Sequence, residues 1–148
     1  MDPLSITASV IALLGAANNV YTVLQSFRNA DRGLQSLVRE VVSLKGFLQS
    51  IEKALEDCRD NPYALSHIDP TLWKESKVAL SDCQATLKQL SQVVDGPRKP
   101  SRSNTLFHRA RVVAELRSRA GDIASFREKI SMSNLSLQTL LQVINVYA

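Results

Sequence analysis

The 148 residues are short of several things at once. Two cysteines, Cys58 and Cys83, lie 25 positions apart, and no CxxC or Cys/His zinc spacing occurs. If the helices that hold them formed an antiparallel hairpin, Cys83 would face the region of residue 46. The two sulfurs would then stand about 20 Å apart at 1.5 Å per residue. A disulfide is not expected, which fits a reducing compartment. Aromatics make up 5% of the chain, and glycine and proline number five each. Strand and turn formers are therefore scarce, which argues against a β fold. The motifs GxGxxG, GxxxxGK[ST] and GxSxG are absent. His67 and His108 lack a carboxylate or thiol at ligand spacing, and no serine is paired with a base. Catalytic residues, metal ligands, cofactor and small-molecule substrate are accordingly all expected to be none. The N-terminus carries Asp2 and lacks a basic run before its apolar stretch, unlike a secretory signal.

Charge is scarce in particular places. Pro3 through Phe27 and Ile130 through Ala148 hold no charged side chain. The formal net charge of +4 is local: residues 96–119 have seven basic side chains (Arg98, Lys99, Arg102, Arg109, Arg111, Arg117, Arg119) against Glu115. This patch reads first as a solvated face. Its second reading is a site for anionic lipid headgroups, at about 1 kcal/mol for each basic residue near the surface. Phosphate contacts with nucleic acid come last, because Phe107 is the one aromatic there for stacking on a base, and no nucleic-acid partner is expected.

What the chain does have is helical periodicity. Asp2-Pro3 is a start signal, an N-cap acid followed by proline at the first helical position. Ile6, Val10, Leu13, Ala17, Val20, Leu24 and Phe27 then recur at spacings of four and three, placing a helix at about 3–29. Leu34, Leu37, Val41, Leu44, Leu48, Ile51 and Leu55 mark a second at about 32–59, with charge off the stripe. Asp69-Pro70 repeats the start signal, and Trp73, Leu80, Cys83, Leu87, Leu90 and Val94 define a third at about 70–94. A flexible basic loop is expected at about 96–104, rich in glycine and proline. A short helix is expected over 105–119, with Leu106, Ala110, Val113 and Leu116 inside. The last helix carries Ile123, Phe126, Ile130, Leu137, Leu140 and Ile144. The expectation is one all-α domain over 1–148: a four- to five-helix up-down bundle with the low-charge N-terminal helix packed centrally. The two uncharged helices are expected to be neighbours.

An uncharged first helix has two readings. It is the core helix of a bundle, the stronger on these residues alone, or a segment that enters a membrane. About 20 apolar residues span a bilayer. Its Leu, Ile and Val residues supply roughly −3 to −5 kcal/mol toward insertion, opposed by Asn18, Asn19, Gln25 and several hydroxyls. Insertion alone is therefore marginal, whereas an oligomer would satisfy its polar groups. Ala8, Ala12 and Ala16, flanked by Ser5, Ser9 and Gly15, form a small-residue ridge that suits close helix packing in either setting.

The opening Met-Asp-Pro-Leu-Ser-Ile-Thr-Ala-Ser-Val-Ile-Ala-Leu-Leu resembles the start of the fungal N-terminal domain of STAND (NOD-like receptor) proteins, similar to the HeLo-like class of cell-death domains. Leu34-Gln-Ser-Leu37-Val-Arg-Glu-Val-Val-Ser-Leu44, Cys83 in the third helix and the closing leucine pattern around Leu135-Ser-Leu137 extend the resemblance over nearly the whole chain. The resemblance implies an effector or signalling domain that oligomerises and associates with membranes through its N-terminal helix. The carried-over segment is residues 3–27, with Leu4, Ile6, Ala8, Val10, Ile11, Ala12, Leu13, Leu14, Gly15, Ala16, Val20 and Leu24 as the membrane or oligomer residues. The implied partners are the protein itself or a partner helical domain, and an anionic membrane. The implied location is cytoplasmic, with recruitment to the plasma membrane. The alternative is a membrane-inert adaptor that docks other helical domains. This chain departs from glycine-zipper members in having Gly15 as the one glycine of its first helix.

Overall fold

A computed structural model describes residues 3–26, 32–61, 63–95 and 120–147. They form four helices: α1 (Pro3–Gln25), α2 (Arg32–Asp57), α3 (Pro70–Asp95) and α4 (Ala120–Tyr147). The all-α bundle expectation holds, and the expected helix starts at residues 3, 32 and 70 are the observed ones. The expected loop at 96–104 and short helix at 105–119 lie outside the described residues.

Local chemistry explains the best-defined start. The Asp69 carboxylate accepts a hydrogen bond from the Thr71 backbone N–H at 2.9 Å, and its carbonyl accepts from Leu72 at 3.0 Å. Pro70 then occupies the position where a missing N–H costs nothing. The sequence stripes are the buried faces. Ile6, Val10, Leu13, Ala17, Val20 and Leu24 of α1 join Leu34, Leu37, Val41, Leu44, Leu48 and Ile51 of α2 in one core. Leu80, Cys83, Leu87 and Leu90 of α3 and Ile123, Phe126, Ile130, Leu137, Leu140 and Ile144 of α4 complete it.

The neighbour order departs from a simple serial bundle. Among the described helices, α1 packs on α2 and α3, and α4 packs on the same two. α1 and α4 therefore lie on one diagonal, and α2 and α3 on the other. The expectation that the two uncharged helices adjoin does not hold. Nor do α2 and α3 form the hairpin assumed for the cysteine geometry. The reason is the connector over 58–69. It is long enough to cross the end of the bundle, and it does so with Cys58, Leu65 and Ile68 buried in the core. Both cysteines are nonetheless free and buried. Periodicity specifies which face of a helix is buried, not which helix buries it.

Candidate functional site: the first helix and its outward face

α1 has two unlike faces. Of the residues singled out from sequence, Ile6, Val10, Leu13, Val20 and Leu24 are buried, and Leu14 and Ala16 are half-buried. Ala8, Ile11, Ala12 and Gly15 are exposed, Ile11 by 51%. Leu4 belongs to α1, and its side chain lies outside the described residues. The central-packing expectation thus holds for one stripe, and the helix as a whole is partly buried. Ala8, Ala12 and Gly15 of the small-residue ridge face outward, whereas Ala16 is half-buried and packs against the core. A Cβ on Gly15 would meet nothing within 4 Å.

α1 is tied to α2 by more than its stripe. The Lys45 ammonium sits 4.1 Å from the centre of the Tyr21 ring, a cation–π contact between half-buried side chains. Within α1 the Thr22 hydroxyl donates to the Asn18 carbonyl at 2.9 Å, and just past its end the Ser26 hydroxyl donates back to the Thr22 carbonyl at 3.4 Å. These hydroxyls need no water to be satisfied, which lowers the cost of moving them into an apolar medium.

Among the described residues α1 alone contains a stretch long and apolar enough to cross a membrane, Ser5–Gln25, with a mean hydropathy of 1.4. Only 28% of that stretch's most apolar window is buried in the bundle. The 23 residues of α1 rise about 34 Å, against about 30 Å of bilayer hydrocarbon. The basic cluster of Arg98, Lys99, Arg102, Arg109, Arg111, Arg117 and Arg119 lies outside the described residues.

One constellation escaped the sequence reading. Asn134 of α4 is buried, and its amide nitrogen donates to the Glu40 backbone carbonyl at 3.1 Å and to the Glu40 carboxylate at 3.0 Å. Its Oδ1 is buried without a partner. The clue was a gap. The apolar repeat of α4 steps from Ile130 to Leu137, and Ser133 and Asn134 fill the turn between. Ser133 is also buried, with its hydroxyl donating to the Lys129 carbonyl at 3.1 Å. It also hydrogen-bonds Cys83, whose thiol burial pushes up to about 11, so that thiol stays protonated near neutral pH and is a poor nucleophile. Between α3 and α4 an open groove of about 470 Å³ is lined by Val78, Ala79, Asp82, Thr86, Met132 and Ser133 among others. Among the described residues no three His, Cys, Asp or Glu side chains are grouped to hold a metal.

A helical bundle whose apolar N-terminal helix is half given to the core and half to the outside is the class of domain these features define. Residues 1–147 match the family described as pigment biosynthesis cluster protein PigL N-terminal, and the chain belongs to it. This is a HeLo-like helical N-terminal domain family found in fungal STAND/NLR-type proteins. No curated protein and no solved structure matches the chain.

Proposed function

We propose that the chain is a cell-death or immune-signalling effector domain that works by self-association and membrane association through α1. The observation that carries this reading is the outward face of α1. Burial requires an apolar stripe, and the stripe alone would leave the outer face free to be charged. Here the outer face, with Ala8, Ile11, Ala12 and Gly15, has no charge over the full length of the helix.

Energetics set the conditions. Ile6, Val10, Leu13, Val20 and Leu24 pass from core to lipid with little change of environment. The cost falls on the α2 and α3 faces left behind, at about 1.5–3 kcal/mol for each large side chain exposed to water. An insertion gain of roughly 3–5 kcal/mol does not offset several of those. A monomer in solution therefore keeps α1 docked. Copies assembled at a membrane can cover one another's open faces, and the basic residues 98–119 hold the assembly on anionic headgroups. The protein would act in the cytoplasm and move to the plasma membrane on activation. It uses no cofactor and turns over no substrate.

The test is dye release from phosphatidylserine vesicles at low and physiological salt. Leakage that weakens with salt is expected. Ile11→Asp and Gly15→Asp should abolish it while leaving the helical circular dichroism intact, because both positions are exposed and a carboxylate near the bilayer centre costs about 2.5–3.5 kcal/mol. Leu13→Asp is a poorer probe, since Leu13 is buried and its loss would unfold the bundle. A folded wild-type chain that neither binds nor permeabilises vesicles would overturn the membrane reading in favour of the adaptor.

A further inference from the structure

Glu40 and Lys45 of α2 each reach onto a stretch of helix that has no charge of its own. Glu40 meets Asn134 in the uncharged half of α4, and Lys45 meets Tyr21 in α1. The two contacts differ in kind. The Glu40 carboxylate receives an N–H, an ordinary hydrogen bond at 3.0 Å. The Lys45 ammonium instead stands 4.1 Å from the centre of an aromatic ring, which offers its π face.

The sequence explains why a ring serves. The positions one turn away from Lys45 along α2 hold Val41, Val42, Leu48 and Gln49, so its own helix supplies no carboxylate there. α1 has no charged residue, and Tyr21 is its one aromatic side chain. Lys45 and Tyr21 are both half-buried, and Tyr21 packs against the core. An ammonium partly withdrawn from water gains more from a ring than a fully exposed one does.

The contact matters because of what else holds α1. Its buried Ile6, Val10, Leu13, Val20 and Leu24 are aliphatic, and hydrocarbon is as apolar as the core they leave. From the side of α1, that stripe scarcely distinguishes one setting from the other. The cation–π contact does distinguish them. Lys45 belongs to α2, and its ammonium cannot follow the ring into a bilayer without a large cost. The contact exists in the closed bundle and is lost when α1 leaves. We infer that it is an autoinhibitory latch, with Lys45 holding α1 docked through the Tyr21 ring. The inference rests on the release of α1 in the proposed function, and it names the pair that guards the resting state.

The experiment is amide hydrogen exchange of the full chain in lipid-free buffer, read separately for α1 and α3. Lys45→Met keeps an unbranched stem and removes the charge. It should speed exchange of the α1 amides roughly 3- to 10-fold, the size of one partly buried cation–π contact, and leave α3 as in wild type. Lys45→Arg keeps a cation over the ring and Tyr21→Phe keeps the ring, so both should exchange like wild type. In a Tyr21→Leu chain, Lys45→Met should have no further effect, because the pair is already broken. Lys45→Gln serves if Lys45→Met loses helical signal. Lys45→Met that exchanges like wild type overturns the inference. Equal acceleration in α3 overturns it too, since the contact would then support the whole bundle. So does a Lys45→Met effect that is the same with and without the ring. No vesicle enters the experiment, so a chain inert toward lipid refutes the membrane reading while the exchange result decides the latch.

Discussion

The two diagonals of this bundle solve the same packing problem with different surfaces. α2 and α3 carry a narrow apolar stripe inward and mixed charge outward, the ordinary compromise of a soluble helix. α1 and the C-terminal half of α4 bury equally regular stripes, yet have no charge on the outside. Since burial demands no more of α1 than of α2, burial does not explain why α1 lacks charge. The difference separates what folding requires from what the outer faces are left to do.

Core truncation is the strongest way to break the contrast, because there the diagonals should behave alike. Leu13→Ala in α1 and Leu44→Ala in α2 remove side chains that are fully buried. Each should lower stability by about 2–5 kcal/mol in urea unfolding. A far smaller loss for Leu13 would mean α1 is only loosely docked.

The Asn134–Glu40 contact, where the diagonals meet, comes next. Asn134→Ala leaves a part-buried carbonyl and carboxylate of Glu40 without this donor. The expected cost is about 1–3 kcal/mol. Asn134→Leu should recover part of it, since it also removes the unpartnered Oδ1. If Leu proves worse than Ala, the pocket is shaped for the amide.

The smallest effect is the sharpest comparison. Gly15 in α1 and Gly46 in α2 are both exposed, and an added Cβ meets nothing within 4 Å at either. Gly15→Ala and Gly46→Ala should therefore each raise stability by up to about 1 kcal/mol. Self-association, read by sedimentation of each variant beside the wild type, should change only for Gly15→Ala. Equal effects on both would mean that the outer face of α1 has no special part in it.

The helices were largely legible in the sequence, because their signals are local. Asp69-Pro70 set a helix start through a carboxylate and a fixed backbone angle, and the three-four spacing set each buried face. The neighbour order was not, because it depends on how the 58–69 connector is held. Its anchors, Leu65 and Ile68, belong to no repeat. The outward aim of Ala8, Ala12 and Gly15 was illegible for a related reason: a ridge of small residues looks the same whether it packs inward or faces out. Asn134 announced itself only as an interruption at the turn where a leucine or isoleucine was due.

The separation of α2 from α3 has a consequence for how the protein is made. Glu40 meets Asn134 across 94 positions, so α2 waits for a helix synthesised much later. At translation rates of about 5–20 residues per second, that wait is roughly 5–20 s. Until α3 and then α4 follow, the apolar faces that α1 and α2 turn toward them stay uncovered. The ribosome-bound chain thus spends seconds in a sticky, half-closed form, and a chaperone that shields aliphatic stripes would find its longest opportunity there.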